Sequence, residues 1–377
     1  MDAVNGQTVG ALADALLQSS GIVSAGPAHL LMALAGILLS VLGLRGWAPL
    51  FLIPAGIGTV LANFPSAGIA EPGTIFYYLY FMFIHTGLLP LLLVFALGWH
   101  TDFGPLVAHP RLAVIGAAAQ TGLVAGIVGA LACKFLPVEA VFIDLNEAAA
   151  VGLATGADGA LAAYASAKLA DHLVEVVTLS AYLYMAVSDR LAGPVVRLLC
   201  PRGELHVEME PVPAVSLRSR LAFPVGLLAL SVLFVPASAP LMGMFALGNL
   251  LKEIKGLNVK MPRVADVAAV LLGLTVGIRL DSDYVFSLQA LAVFFAGLVA
   301  VLAAIVCGVL VGKVFHRVSG GHFNPAVGAA CLPSMGHAAS SAVKACGEQS
   351  IYPYAAGANA AGTIGWILSA GILLALL

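Results

Sequence analysis

The stretch Glu147-Ala-Ala-Ala-Val-Gly-Leu-Ala-Thr-Gly-Ala-Asp158-Gly159 places a carboxylate and glycines inside an otherwise apolar segment, residues 146–169. A segment of about 20 apolar residues is long enough to cross a bilayer. A carboxylate at membrane depth costs about 2.5–3.5 kcal/mol even on lenient insertion scales, and it usually marks an ion or proton pathway. Because Gly156 and Gly159 bracket Asp158, we expect the helix to open at this point.

A second interruption follows in the other half of the chain, in the stretch Gly320-Gly-His-Phe-Asn324-Pro325-Ala-Val-Gly328. Pro325 removes a helix hydrogen bond, and the glycines, Gly328 among them, permit local unwinding. Interrupted helices at corresponding places in two halves are typical of inverted-repeat transporters with an ion site at the membrane midplane. The pattern therefore predicts two inverted repeats, each with one interrupted transmembrane helix.

A third polar position, Asn359, lies near the start of the last apolar run. Taken alone it is explained better by a helix cap or an inter-helix hydrogen bond than by a role as a ligand. Together with Asp158 and Asn324 it supplies one carboxylate and two amide oxygens, and hard cations prefer oxygen ligands. A single negative charge suits a monovalent cation better than Ca²⁺, which usually gathers several carboxylates. We therefore predict a Na⁺ site formed by Asp158, Asn324 and Asn359.

The composition supports a membrane location for the whole chain. Of its 377 residues, 61% are hydrophobic and only 10% are charged, too few to cover a water-facing surface. The apolar residues form long blocks instead of the short alternating runs of a β-barrel. These features predict an all-α polytopic membrane protein with about 10–12 membrane segments. The net charge of −2 indicates no nucleic-acid partner.

The polar stretch 189–220 divides the chain. We predict an N-terminal interfacial segment (1–27), a first membrane repeat (28–188), a cytoplasmic linker (189–220) and a second membrane repeat (221–377). With the linker inside, the spans place twelve of the 17 Lys and Arg in the cytoplasm, in line with the positive-inside rule. The N-terminus is then predicted to be cytoplasmic. The residues predicted to lie outside are Arg45, Arg111, Lys168, Arg279 and Lys344.

Many short motifs occur in an order that resembles one family. They are Leu17-Gln-Ser-Ser-Gly21, Gly58-Thr-Val-Leu-Ala-Asn63-Phe-Pro65, Tyr77-Tyr-Leu-Tyr80, Thr101-Asp-Phe-Gly-Pro105, Gly156-Ala-Asp158-Gly159, Ala165-Ser-Ala-Lys-Leu169, Ala181-Tyr-Leu-Tyr184-Met185, Leu241-Met-Gly-Met244, Gly248-Asn-Leu-Leu-Lys252, Leu274-Thr-Val-Gly277, Asn324-Pro325 with Gly328, and Gly357-Ala-Asn359-Ala-Ala-Gly362. With them the chain resembles the β subunit of the Na⁺-translocating, biotin-dependent decarboxylases of oxaloacetate, methylmalonyl-CoA, glutaconyl-CoA and malonate.

The resemblance implies a translocase subunit that works only with partner subunits, in the inner membrane of a bacterium. A biotin-carrying carboxyltransferase α subunit would deliver carboxybiotin, and a small single-span γ subunit would complete the complex. Decarboxylation would consume a proton and drive Na⁺ out of the cytoplasm. The chain lacks the Ala-Met-Lys-Met biotinylation motif, so biotin would arrive on the partner. Membrane lipid surrounds such a subunit, and a homo-oligomer is compatible with it.

The resemblance also assigns roles to single residues. The essential aspartate of the family corresponds to Asp158 and its essential tyrosine to Tyr184, which makes both candidate catalytic residues. Its Asn-x-x-x-Gly corresponds to Asn324 and Gly328, and its late asparagine to Asn359. On position alone, Tyr184 is explained better as an interfacial anchor near a helix end.

The chain departs from the family after Asn324-Pro325. The family carries a serine and then an arginine there, whereas simple counting places Pro333 and Ser340 at these positions. Ser334 is a nearby substitute for the serine, and His337 is the closest candidate for the arginine. This loss favours the alternative of a stand-alone secondary transporter, a cation:proton antiporter or a Na⁺-coupled organic anion carrier of similar fold. The sequence does not identify the acid that a decarboxylase complex would use.

Overall fold

The structure is a computed structural model, and it describes residues 10–11, 14–15, 25–64, 68–135, 143–156, 158–254, 261–280, 282–334 and 337–377, without the side chains of 283 and 284. These residues form helices and connecting turns with no β-strand, as the sequence predicted for an all-α membrane protein. The predicted interfacial segment 1–27 lies almost entirely outside the described residues.

Ten helices lie between residue 25 and residue 200 in the described part of the chain, and they are numbered from the first long one. They are α1 (Pro27–Leu44), α2 (Pro49–Ala62), α3 (Ile75–Tyr80), α4 (Leu88–His100), α5 (Gly104–Ala108), α6 (Leu112–Ala118), α7 (Gln120–Ala132), α8 (Leu145–Ala154), α9 (Gly159–Leu169) and α10 (Val174–Leu199). The repeat boundary predicted at 188–189 falls inside α10, which is continuous to Leu199.

Eight helices follow in the described part of the chain. They are α11 (Arg202–Leu205), α12 (Leu217–Phe234), α13 (Ala239–Lys252), α14 (Met261–Arg279), α15 (Ser282–Val285), α16 (Leu288–Val318), α17 (His337–Cys346) and α18 (Tyr352–Leu376). A 3₁₀-helix, Pro325–Ala330, precedes α17.

Among the described residues, six helices are long and apolar enough to cross a membrane: α1, the α6–α7 stretch, α12, α14, α16 and α18. A bent pair adds a seventh candidate, in which Ile75–His85 meets α4 at 51°. The bend follows a π-helical turn, Phe81–His85, and Gly87 in the left-handed region. Such π-helical turns are frequent at functional sites.

Small residues let the helices approach closely, as is usual in membrane proteins. Gly273 and Gly277 of α14 lie against the backbone of α2, where any side chain would overlap with carbonyl oxygens. Gly98 of α4 and Gly248 of α13 make the same contact with each other's helix. These helix pairs are therefore held by close backbone contacts, in addition to large buried side chains such as Phe51 and Phe245.

Each interrupted segment folds back to the end of the bundle from which it came. In the first hairpin (residues 144–172), the Nε2 of His172 lies 2.7 Å from Oε1 of Glu147, so its start and end meet. In the second hairpin (residues 324–346), Asn324 donates to the Leu205 carbonyl at 2.8 Å, and Ala345 accepts from Arg197 at 3.4 Å. The two bases lie at opposite ends of α10.

The end of the bundle that carries residues 200–216 is called the linker face. Arg45 and Arg111 lie at this face, contrary to the prediction that placed them opposite it. The backbone beside Arg45, at Gly46, is 3.5 Å from the Arg190 guanidinium, and beside Arg111 the His109 ring stacks on Tyr354.

Two further basic residues lie at the face opposite to the one that the sequence predicted. Lys344 lines a surface cavity together with Arg197 and Arg202, so it also lies at the linker face. Lys134 ends the α7 stretch, which runs antiparallel to α16, and lies at the opposite face. Of the described Lys and Arg, only Lys134, Lys168 and Arg279 lie there. The charge asymmetry is thus stronger than the sequence predicted.

The contacts also bear on the N-terminus. The turn after α1 lies at the linker face, so Pro27 begins α1 at the opposite face. The predicted cytoplasmic position of the N-terminus depends on residues 1–26 and stays a prediction. Those residues lie almost entirely outside the described part.

Candidate functional site

Asp158 lies at the tip of the first hairpin, where it caps α9. Its Oδ1 accepts hydrogen bonds from the backbone N–H groups of Ala160 and Leu161, both at 3.0 Å. Neither bond uses Oδ2, although the residue is only 7% exposed. The N-terminal end of a helix favours a negative charge. The tip thus holds a buried carboxylate with one oxygen left for a ligand.

The glycines on either side of Asp158 are required by rings that cover the tip. Trp366 donates from Nε1 to the Leu153 carbonyl at 2.9 Å, and a Cβ at Gly156 would overlap with its indole. A Cβ at Gly159 would overlap with the ring of Tyr182. Both glycines therefore permit close packing, in addition to the break in the helix.

A cavity of about 340 Å³, the central cavity, begins at Asp158. Its wall includes Tyr182 and Asp189 of α10 and Asp266 of α14. Gly46, in the α1–α2 turn, lines it as well. Because that turn lies at the linker face, the cavity connects Asp158 with this side of the membrane.

Two basic side chains also line the central cavity. Sequence reasoning assigned Arg190 to no site, whereas it named His337 as the closest candidate for the family's arginine. Arg190 donates to the Ala186 carbonyl at 2.7 Å, and its guanidinium lies 4.0 Å above the ring of Trp47. His337 begins α17 and lies 4.0 Å from Asp189. The sequence signal that could have identified Arg190 is the helical spacing of four residues, which places them along one side of α10. These residues are Tyr182, Ala186, Asp189 and Arg190.

The tip of the second hairpin is held by Asn359 of α18. Its Nδ2 lies within hydrogen-bond distance of the carbonyls of Leu332 and Ala330 and of the Ser334 hydroxyl, the last at 3.2 Å. Ser334 in turn accepts from the backbone N–H of Ala338 at 2.9 Å. These contacts satisfy backbone groups that the interruption leaves without helical partners.

The structure places the three predicted Na⁺ ligands in different surroundings. Asp158 lines the central cavity, whereas Asn359 lines a separate cavity of about 250 Å³ beside Asp102. Asn324 lies at the base of the second hairpin, where its side chain caps the 3₁₀-helix that Pro325 begins. Gly328 of that helix lies against the backbone of α16. A role of Asn324 as a ligand stays a prediction, and its contacts favour a structural role.

The two tyrosines of α10 point in different directions because they are two residues apart on a helix. Tyr184 is fully buried, and its hydroxyl lies 2.9 Å from the Phe294 carbonyl of α16. Tyr182 lines the central cavity and stacks on Phe51, with ring centroids 3.7 Å apart. The aromatic neighbour of Asp158 is thus Tyr182, and a catalytic role of Tyr184 stays a prediction.

A second large cavity, the outer cavity, lies at the opposite face and has a volume of about 430 Å³. Its wall includes Asn63, Asp171 and Glu175. Arg279 lies there too, with Nε 3.6 Å from Oε1 of Glu175 and its guanidinium 4.6 Å from the ring centroid of Tyr80. Charged groups therefore occur at both ends of the bundle interior.

Comparison with known proteins identifies the family. Residues 28–377 match the family described as "Na+-transporting oxaloacetate decarboxylase beta subunit". The oxaloacetate decarboxylase beta chain 2 of Salmonella typhi is 31% identical, with 96% of this chain and 98% of the relative covered.

Two relatives named for other substrates are equally similar. The methylmalonyl-CoA decarboxylase subunit beta of Propionigenium modestum is 33% identical, with 88% of this chain and 90% of the relative covered. The glutaconyl-CoA decarboxylase subunit beta of Acidaminococcus fermentans is 31% identical, with 96% of each chain covered. The chain belongs to the β-subunit family of the Na⁺-transporting decarboxylases.

Proposed function

We propose that this β subunit couples the decarboxylation of carboxybiotin, delivered by a partner subunit, to the export of Na⁺ across the inner membrane. The observation that carries the proposal is Asp158. It is a buried carboxylate whose Oδ2 accepts no hydrogen bond from the described residues, and it lies in a cavity that connects with the linker face. Na⁺ would reach Asp158 through this cavity.

The burial of Asp158 explains how Na⁺ and H⁺ could be exchanged. A carboxylate without a counter-charge is unfavourable in such surroundings, so the group holds either a cation or a proton. No described Lys or Arg forms an ion pair with it, although Arg190 shares its cavity. Protonation would therefore release Na⁺, and Na⁺ binding would release the proton.

The central cavity also has groups that suit a carboxylated carrier. Arg190 and His337 lie in its wall and can attract the carboxylate. In the reaction the N–C bond breaks, its electron pair stays on the ureido nitrogen, which takes up a proton, and CO₂ leaves. Arg190 would thus supply the positive charge of the family's arginine, because Ser340 occupies the position of that arginine in this chain.

The linker face is the surface on which we propose that the biotin-carrying partner docks. Arg197, Arg202, His206 and Lys344 line a cavity of about 350 Å³ there. This positive surface, beside the opening of the central cavity, would favour association with an acidic carrier. The single-span γ subunit would pack against lipid-facing helices.

The order of elements supports the proposal of two inverted repeats. In each half a long helix, a broken hairpin and a second long helix follow one another, as in α7–α8–α9–α10 and in α16, the second hairpin and α18. The two hairpins have their bases at opposite faces. This arrangement is the one expected for halves of inverted topology.

The charge asymmetry supports a cytoplasmic linker face. In a background without reactive cysteines, Glu208→Cys should react with an impermeant thiol reagent only from the cytoplasmic side. Lys168→Cys, at the opposite face, should react only from outside. The reverse pattern would overturn the orientation, and labelling of Glu208→Cys that is lost on adding the partner would support docking.

Asp158→Asn tests the main proposal. It keeps the shape and an oxygen ligand but removes the charge, so Na⁺-stimulated decarboxylation and Na⁺ uptake into inverted vesicles should be lost in the reconstituted complex. Asp144→Asn is the matched control, because Asp144 caps α8 in the same hairpin but at its base. Full Na⁺ dependence in Asp158→Asn would refute the proposal. Na⁺ transport without the partner subunits would instead support the stand-alone transporter.

A further inference from the structure

One face of α10 lines both large cavities. Glu175 lies in the wall of the outer cavity and Tyr182 in that of the central cavity. With a rise of about 1.5 Å per residue, the two positions are separated by about 10 Å. Thr178 lies between them on the same face, since the spacing is three and then four residues. A short stretch of packed protein therefore separates the two cavities, and Thr178 belongs to it.

Thr178 differs from the other buried threonines of the described helices. It is fully buried, yet its hydroxyl has no hydrogen-bond partner among the described residues. Thr59 and Thr275 are as deeply buried, and each donates to a carbonyl four residues earlier at 2.8 Å. A buried polar group without a partner in a native structure calls for an explanation, such as an ion or water that is bound at some stage.

Glu175, at the edge of the outer cavity, also has a buried oxygen that accepts no hydrogen bond from the described residues. The residue is 8% exposed, and this oxygen is Oε1. The nearest cation is Arg279, 3.6 Å away, whose guanidinium also lies over the ring of Tyr80. The side chain of Arg279 is 43% exposed, so it has room to move into the outer cavity.

We infer that Na⁺ leaves Asp158 along this face of α10, with the Thr178 hydroxyl as an intermediate ligand, Glu175 as the exit ligand and Arg279 as an outer gate. This inference rests on the proposed Na⁺ export. Two cations repel each other at one carboxylate. The return of Arg279 to Glu175 would therefore expel Na⁺ into the outer cavity and prevent its re-entry.

The test uses the complex with its partner subunits in proteoliposomes. Thr178→Val should slow ²²Na⁺ transport about tenfold, the factor expected for loss of one ligand interaction, and Thr178→Ser should restore it. The apparent Na⁺ affinity measured at the linker face should stay unchanged, because Asp158 is intact. Thr275→Val is the matched control, since that hydroxyl is satisfied within its own helix.

The proposed role of Arg279 as a gate is tested separately, by measuring passive Na⁺ flux. Arg279→Gln should raise downhill ²²Na⁺ leak in the absence of any decarboxylation substrate, whereas Arg263→Gln, on the same helix, should not. Glu175→Gln should slow transport without changing Na⁺ affinity at the linker face. Thermal unfolding in detergent checks each variant, and if Thr178→Val does not fold, Arg279→Gln and Glu175→Gln carry the test.

The outcomes separate this inference from the proposed function. If Asp158→Asn abolishes transport while Thr178→Val equals Thr275→Val and Arg279→Gln equals Arg263→Gln, the exit path is wrong and Na⁺ export stands. If the unaltered complex moves no Na⁺, or Asp158→Asn moves it normally, the proposed function fails first.

Discussion

The two hairpins differ in what their tips carry. The first presents a carboxylate, Asp158, which caps its own helix and lines a cavity. The second presents backbone carbonyls and the Ser334 hydroxyl, and these are held by Asn359 from another helix. The tip charge is thus on the first hairpin, and the tip of the second is fixed by neutral hydrogen bonds, although farther along it Ser341 donates to Asp189 at 3.1 Å. A neutral clamp can be rearranged without leaving a buried charge unpaired at that tip, so the second tip is suited to move against the first.

Apart from substitution of Asp158, the largest effect that tests this difference between the two tips is expected from Asn359→Ala. It removes the group that holds the second tip, so we expect the apparent Na⁺ affinity to fall about tenfold, corresponding to about 1.4 kcal/mol. The measurement is Na⁺ stimulation of decarboxylation by the reconstituted complex.

Asn324→Ala is the matched variant, because it alters the same side chain at the base of the same hairpin. It should lower stability by about 1 kcal/mol and leave the Na⁺ affinity nearly unchanged. Equal losses of affinity in both variants would instead favour the predicted set of three ligands, and would contradict the division between tip and base.

A smaller effect is expected from the tyrosines of α10. Tyr182→Phe alters the wall of the central cavity, so we expect the Na⁺ concentration for half-maximal activity to rise a few-fold. Tyr184→Phe releases the Phe294 carbonyl and should lower the maximal rate with that concentration unchanged. A shift of Na⁺ affinity in Tyr184→Phe, but not in Tyr182→Phe, would restore the assignment made from the resemblance.

The sequence was sufficient for the parts of the structure that follow from polarity and helix breaking. An acid, glycines and a proline in apolar segments predicted two interruptions, and both are present between α8 and α9 and before α17. The sequence did not show that each interrupted segment turns back. That depends on contacts such as Arg197 with Ala345, which join residues far apart in the chain.

The errors in the charge distribution have the same origin. Counting spans as crossings placed Arg45, Arg111, Lys134 and Lys344 at the wrong face. The count starts at the linker, so a segment that turns back reverses every assignment beyond it. The site residues were missed for a different reason. Tyr182 and Arg190 are ordinary residues in a helix, and only the phase of α10 relative to Asp158 distinguishes them from Tyr184.

The smallest expected effect concerns the base of the first hairpin. His172 lies 2.7 Å from Glu147, but its side chain is 52% exposed, so water screens the pair. Exposed ion pairs contribute about 0–1 kcal/mol, and His172→Gln should therefore lower the free energy of unfolding by less than Asn324→Ala does at the other base. Denaturant titration in detergent gives both values. Na⁺ affinity should be unchanged, because the base lies at the opposite end of α9 from Asp158. A large loss of Na⁺ affinity in His172→Gln would show that a change at the base of the first hairpin reaches Asp158 at its tip. The first hairpin would then be no more rigid than the second hairpin.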